Sequence, residues 1–214
     1  MFTIAYKALA DSVEIEMNGS KPRLVHYSGA LKLIGTGRSA YVFKIRDKNL
    51  ALKVYFPSRK RIAFKEATIY RQLQHINYYP TLYDGGTNYI VIDFIEGYTL
   101  FHCLQRGIFV PERKFKEISK ALKMAMEVGL NPADIHLKNI ILTPNKEVKV
   151  IDVARFMQKE KDNQWKDIEK AYFNIYLKPY FPKKIPTFIL NFISFVYKKR
   201  YLPRPIRLLF DSVE

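Results

Sequence analysis

The sequence predicts an α+β fold in two lobes: a small antiparallel β-sheet lobe with one helix, then a reduced, mainly helical lobe. Three observations lead there. Short β-rich runs bounded by glycine or Asp/Asn turns fill residues 31–55 and 81–92, and one charged run with helical spacing lies between them. From residue 99 onward the apolar spacing becomes helical, broken by one small hairpin. With 214 residues and 48% hydrophobic content, the chain is long enough for two lobes sharing a cleft. Its 14% aromatic content argues against disorder, because that much ring surface does not stay in water. The predicted organisation is a lead-in at 1–30, the sheet lobe at 31–93, and a connection plus helical lobe at 94–214.

Each element has a local cause. Residues 1–30 alternate poorly, end in Ser28-Gly29, and carry at most one or two short strands. Leu31-Lys32-Leu33-Ile34, Tyr41 to Ile45 and Leu50 to Tyr55 read as three antiparallel strands, the first pair joined by a glycine turn and the second by Asp47-Lys48-Asn49. Pro57 ends the third strand, and residues 61–73 place Ile62, Ile69 and Leu73 at helical spacing. Thr81-Leu82-Tyr83, the turn Asp84-Gly85-Gly86 and Tyr89 to Ile92 form a hairpin. Thr99 can cap a short helix at 99–105. Residues 111–128 form an amphipathic helix with proline in its first turn and Gly129 at its close. A loop at 131–139 leads into a hairpin, Ile140-Ile141-Leu142 and Val148 to Ile151, that presents Asp152 at its end. Two helices follow, at about 163–177 and 186–199, separated by a proline-rich link, with Phe188, Phe192 and Tyr197 expected to face the core.

Composition restricts the class of protein. A single cysteine, Cys103, permits neither an intramolecular disulfide nor a cysteine-based metal cluster, which fits a reducing, cytoplasmic setting. The amino terminus lacks a basic start and sustained apolar stretch, and the longest apolar passage, 185–197, is too short and too polar to span a bilayer. The formal charge of +16 favours phosphate-bearing partners, with local clusters at Arg59-Lys60-Arg61 and Lys198-Lys199-Arg200. No specific nucleic-acid motif accompanies it, so weak polyanion or anionic-membrane contact through the basic C-terminal region is as far as charge alone leads.

Four pieces carry chemistry. They are Gly35-Thr36-Gly37-Arg38-Ser39-Ala40-Tyr41-Val42, then Ala51-Leu52-Lys53, then Asp134 with Asn139, then Asp152. A glycine loop can lie over phosphates, a lysine on the next strand can hold them, an acid can orient a hydroxyl, and an Asn and an Asp can share magnesium. The glycines are followed by a β-rich run and not a helix, which disfavours a dinucleotide-binding reading.

With these residues in place, the chain resembles the protein-kinase-like superfamily, over roughly residues 31–175. The resemblance implies a bilobal kinase fold that uses ATP and Mg2+. It puts Ile34, Gly35, Thr36, Gly37, Val42, Ala51 and Lys53 around the nucleotide, Ile92 at the back of the adenine pocket, and the backbones of Asp93 and Ile95 at the adenine edge. Lys53 would be held by the helix glutamate Glu66, and Asp134 would orient the acceptor hydroxyl five residues before Asn139. Asn139 and Asp152 would be the metal ligands.

Departures from the family pattern bear on the acceptor. Pro132-Ala133-Asp134 stands where many protein kinases have His-Arg-Asp, so the arginine that receives a loop phosphate is missing. His136 stands where serine/threonine kinases have lysine, as in aminoglycoside, choline and lipopolysaccharide-core kinases. Val153-Ala154 replaces Phe-Gly, and no Ala-Pro-Glu follows. The overall layout resembles small bacterial serine/threonine kinases, which makes a protein hydroxyl the first acceptor. A small-molecule kinase and a non-catalytic nucleotide-binding pseudokinase are the two alternatives.

Overall fold

The computed structural model describes residues 6–19, 21–160 and 162–198. Its central sheet is antiparallel and five-stranded, in the order β3-β4-β5-β7-β6. The strands are β3 (Leu31–Thr36), β4 (Ala40–Ile45), β5 (Leu50–Tyr55), β6 (Leu82–Gly85) and β7 (Tyr89–Asp93). Helix α2 (Lys60–Leu73) follows β5 through a short 3-10 turn at Pro57–Arg59. The sheet lobe therefore has the five strands and one helix expected of it, with two additions before them.

The first addition is helix α1 (Tyr6–Asp11), and the second is a separate hairpin, β1 (Glu14–Asn18) with β2 (Lys21–His26). The hairpin agrees with the one or two short strands predicted; the helix does not. Six residues are too few for a periodic signal, and a helix this short has no stability of its own. It persists because Leu9 and Ala10 are buried against the sheet, in the cluster that contains Leu31, Phe43, Leu52 and Val91.

Strand β5 explains how the lobe is layered. Successive side chains of a strand point to opposite faces. Leu50, Leu52 and Val54 join the cluster under α1, whereas Ala51 and Tyr55 join the larger cluster built on α2. Lys53 lies between Ala51 and Tyr55 on that second face. The large cluster continues from Ala63, Ala67 and Tyr70 of α2, through Ile90 and Ile92, to Phe115, Ile118, Ile135, Val150 and Phe156, so one core ties the sheet lobe to the helical lobe.

The β6–β7 hairpin turns two residues later than the sequence suggests, because β6 includes Asp84 and Gly85 and bulges between Leu82 and Asp84. Gly86 is required at this turn, since a Cβ there would lie 2.2 Å from the Tyr89 ring. Beyond the sheet, β8 (Tyr98–Thr99), β9 (Ile140–Leu142) and β10 (Val148–Val150) form a three-stranded sheet that docks the connection onto the hairpin before Asp152. A two-residue strand such as β8 has no sequence pattern of its own.

The second lobe comprises α3 (Leu100–Arg106), α4 (Glu112–Glu127), α5 (Gln164–Ala171) and α6 (Thr187–Lys198). Thr99 caps α3 by accepting a hydrogen bond from the His102 N–H at 3.2 Å, and Gly107 closes it at φ 71°. The helix expected over 163–177 is in fact α5 continued by a π-helical turn at Tyr172–Tyr176. That turn places Tyr172 flat on Phe115 with ring centroids 3.6 Å apart, while Trp165 stacks on the same ring at 5.4 Å.

Helix α6 corrects one expectation. Phe188 and Phe192 are 73% and 66% exposed, because α6 meets the body through Leu190, which packs with Phe101 and Ile185. Among the described residues, no helix is long and apolar enough to cross a membrane. Lys199 and Arg200 of the basic cluster lie outside the described residues.

Candidate active site

The glycine turn joins β3 to β4. Gly35 pairs with Val42 across a bulge between Leu33 and Gly35, and the Gly37 N–H donates to the Ala40 carbonyl at 2.9 Å. A Cβ at Gly35 would meet only ordinary contact, at 3.8 Å from Val42. Here the small residues leave room above the sheet edge and do not relieve strain. Ile34 and Thr36 are exposed on the same strand. Val42, Ala51 and Ile92 belong to the large core cluster, Val42 at its margin, and Ala51 pairs directly with Ile92 between β5 and β7. These three supply an apolar wall next to Lys53.

The connection after β7 is held by side chains that the sequence does not single out. The Asp93 carboxylate accepts from the Thr81 N–H at 2.7 Å and the Tyr83 hydroxyl at 2.9 Å. The Phe94 N–H donates to the Asn49 carbonyl at 2.9 Å, and Lys44 lies 4.6 Å over the Phe94 ring. At the next residue, the Ile95 N–H enters no hydrogen bond among the described residues. A fixed strand end followed by an unengaged amide is what a flat heterocycle can read.

Below the wall lies a buried ionic group. Lys53 Nζ is 3.0 and 2.9 Å from Glu66 Oε1 and Oε2, and 2.8 Å from Asp152 Oδ1. Glu66 is 0% exposed, and Tyr55 donates its hydroxyl to Glu66 Oε2 at 2.5 Å. Burial on its own would favour neutral groups. For Lys53, burial is outweighed by the facing carboxylates of Glu66 and Asp152, so its pKa rises above the usual lysine value. Glu66 is pushed up by burial, opposed by Lys53. Asp152 is held below the usual carboxylate range: burial would raise it, but Lys53, and then the charges of His136 and Arg38, prevail. Tyr55 and Tyr70 have phenols pushed well above their ordinary value by burial and by the neighbouring Glu66 charge.

The loop at 134–139 forms the opposite side. Asp134 and Asp152 both adopt left-handed backbone, with φ 58° and 59°, which non-glycine residues adopt only when the surroundings enforce it. At Asp134 the enforcement is visible. Its N–H donates to Asp162 Oδ2 at 2.7 Å, and its carbonyl accepts from Asn139 Nδ2 at 3.1 Å. Asn139 in turn accepts the Ile151 N–H on its carbonyl at 2.8 Å, which links the loop to the residue before Asp152. Arg38 reaches from the glycine turn to within 3.7 Å of Asp134 Oδ2, and His136 Nε2 is 4.0 Å from Asp134 Oδ1. Arg38 and His136 also act on Asp152, so the two carboxylates share these charged neighbours.

The donor set fits magnesium, which takes oxygen ligands and keeps several waters. The Asp152 side chain is 52% exposed, so its carboxylate faces the cleft although Oδ1 is on Lys53. Asn139 uses its Nδ2 on Asp134, which directs the amide oxygen elsewhere. Among the described residues no group of three or more His, Cys, Asp or Glu gathers to hold a metal, so phosphates and water would complete the shell.

Lys53, Glu66 and Asp152 thus meet directly, and Asp134 and Asn139 meet each other across the cleft. Ile34, Thr36, Asp93 and Ile95 take no part in the ionic group. Sequence reasoning missed Tyr55, Asp162 and Arg38. Tyr55 follows Lys53 by two strand positions, which was a readable signal; Asp162 and Arg38 have no local signature.

Comparison with known proteins identifies the family. The protein kinase domain family matches residues 29–174. A protein of Bacillus subtilis (strain 168) that carries a provisional serine/threonine-protein kinase name, YrzF, is 44% identical over 200 residues, which cover 92% of this chain and 93% of that one. A probable serine/threonine-protein kinase of Clostridium acetobutylicum is 30% identical over 136 residues, 56% of this chain and 21% of its own length. Aurora kinase C of Mus musculus is 29% identical over 136 residues, 56% of this chain and 49% of the mouse protein. The chain belongs to the protein kinase domain family, and its class of activity is that of an ATP-dependent kinase.

Proposed function

We propose that this chain is a Mg2+-dependent kinase that passes the γ-phosphate of ATP to a serine or threonine hydroxyl of a protein, in the cytoplasm. The observation that supports this reading best is the position of Lys53. One buried ammonium spans Glu66 on α2 and Asp152 at the end of the β9–β10 hairpin, which brings a phosphate-binding cation and a metal-ligand candidate to the same point. Magnesium would supply charge neutralisation between the phosphates, held by Asp152 and Asn139.

The protein's own residues do the rest. The small residues of the 35–40 turn let backbone amides approach the phosphates, and Lys53, oriented by Glu66, holds them. Asp134, kept at φ 58° by Asp162 and Asn139, takes the proton of the acceptor hydroxyl. A bond forms between the acceptor oxygen and the γ-phosphorus, the bond to the bridging oxygen breaks, and ADP leaves.

A second reading keeps the chemistry and replaces the protein by a small-molecule hydroxyl. It is favoured by His136 beside Asp134 and by the short stretch, 153–163, that separates Asp152 from α5 and leaves little chain to build a peptide platform. Labelled ATP with magnesium, offered first with casein and then with metabolite pools free of protein, tests both. Label on casein that disappears with Asp134→Ala supports the first reading. ATP consumption dependent on a metabolite supports the second. Equal labelling by wild type and Asp134→Ala overturns the assignment.

A further inference from the structure

We propose that Tyr55 is a positioning residue for the nucleotide-binding lysine: its hydroxyl fixes the Glu66 carboxylate, which in turn keeps Lys53 in place. This rests on the kinase reading above.

The strand alternation that buries Leu52 and Val54 beneath α1 turns Ala51, Lys53 and Tyr55 toward α2. Tyr55 is 1% exposed, so its hydroxyl is cut off from water and must find a protein acceptor. It donates to Glu66 Oε2, the same oxygen that receives Lys53 Nζ at 2.9 Å. The ring also flanks the ammonium, with Nζ 5.4 Å from its centroid.

A purely space-filling role requires only the ring. The hydroxyl adds a directional bond, and bonds to charged acceptors are the stronger kind. Its effect follows from the competition for Lys53. Asp152 offers the ammonium a second carboxylate at 2.8 Å, so the lysine is shared between two acceptors on different elements. Glu66 rides on α2 and reaches β5 through Lys53 and Tyr55. With both contacts the carboxylate is tethered in two directions from one strand. With the lysine alone it can turn, and Lys53 shifts toward Asp152 and away from the phosphates.

The test is a mutant cycle on the full chain: wild type, Tyr55→Phe, Glu66→Gln and the double variant. Affinity is read with a fluorescent ATP analogue and magnesium, and KM and kcat with casein as acceptor. Tyr55→Phe keeps the ring, and assays run well below the lowest melting midpoint of the four proteins separate affinity from folding. The expected result is an approximately tenfold weaker analogue affinity and higher KM for ATP, with kcat changed less than about twofold, as loss of ground-state binding requires. In the Glu66→Gln background the same substitution changes affinity less than about twofold, because the hydroxyl's charged acceptor has gone.

Unchanged affinity in Tyr55→Phe overturns the proposal, and so does an equal loss in both backgrounds, which would mean that the hydroxyl acts through packing. The kinase reading fails by a separate result, a wild type that binds the analogue and transfers no phosphate to any acceptor; the affinity cycle still decides the role of Tyr55 in that case.

Discussion

Replacing Lys53 by methionine removes the cation that faces the Glu66 carboxylate. Methionine keeps the length and the apolar stem, so the change is chiefly one of charge. Glu66 is 0% exposed and is left with the neutral Tyr55 hydroxyl as its donor among the described residues. Leaving one member of a buried ion pair uncompensated costs about 3–5 kcal/mol. At roughly 2–4 °C per kcal/mol for a chain of this size, the melting midpoint falls by about 6–20 °C. Glu66→Gln removes the other member with a different result. Lys53 then keeps Asp152 at 2.8 Å, and the amide oxygen can still accept from Tyr55, so the loss is nearer 1–3 kcal/mol, on the order of one weakened charged hydrogen bond. The order of the two variants is therefore the prediction, and urea unfolding of each measures it. Glu66, already pushed up by burial, rises further without the opposing Lys53 charge, so protonation on acidification relieves the folded Lys53→Met variant. Its deficit relative to wild type should shrink as pH falls toward the ordinary glutamate value of 4.5. Variants within about 1 kcal/mol of wild type, or Glu66→Gln the more damaging of the two, would refute the reasoning, given the 3–5 kcal/mol at stake.

Asp162→Ala deprives the half-buried Asp134 and Gln164 amides of an acceptor that each meets at 2.7 Å, at about 0.5–1.5 kcal/mol per bond; phosphate transfer should fall while nucleotide affinity, read by fluorescence, holds. Gly97→Ala puts a Cβ 2.2 Å from the Leu142 carbonyl oxygen at φ 148°, so β8 must part from β9, and chemical unfolding should register a loss of at least about 1–3 kcal/mol. Stability should also fall on the alkaline side. Tyr55 and Tyr70 have folded pKa values above the ordinary 10.0, so above that pH the unfolded chain binds fewer protons and the slope is negative. The raised Lys53 adds to it, its contribution being complete below 10.5 and lost as pH rises through its folded value. Tyr70→Phe should make the decline between about pH 10 and 11.5 shallower, as followed by thermal melts.

Much of the fold was legible because its causes are local. The turn at Asp47-Lys48-Asn49, the helical spacing of 61–73 and 111–128, and the hairpin before Asp152 each depend on a few neighbouring residues. The ordered residues Lys53, Asp134, Asn139 and Asp152 could be picked out for the same reason, since their spacing within each segment is what phosphate chemistry requires. Features with no local cause were not legible. Helix α1 exists by docking Leu9 and Ala10, β8 exists by pairing with β9, and the π turn follows the stacking of Tyr172 on Phe115.

By itself, then, the sequence determined the two-lobed α+β kinase fold and the residue types able to do phosphotransfer. The tertiary structure decided how they are held. Tyr55 shares the Lys53 face of its strand in the sequence but gains its partner only when α2 packs Glu66 beneath it, and Asp162 reads as a solvated charge until the 134–139 loop folds onto it. Arg38 reads as part of a basic surface until the glycine turn brings it over Asp134. The reason is physical: periodicity and turn chemistry act over a few residues, whereas a charge gains its partner, its burial and its pKa only when elements distant in the chain close around it.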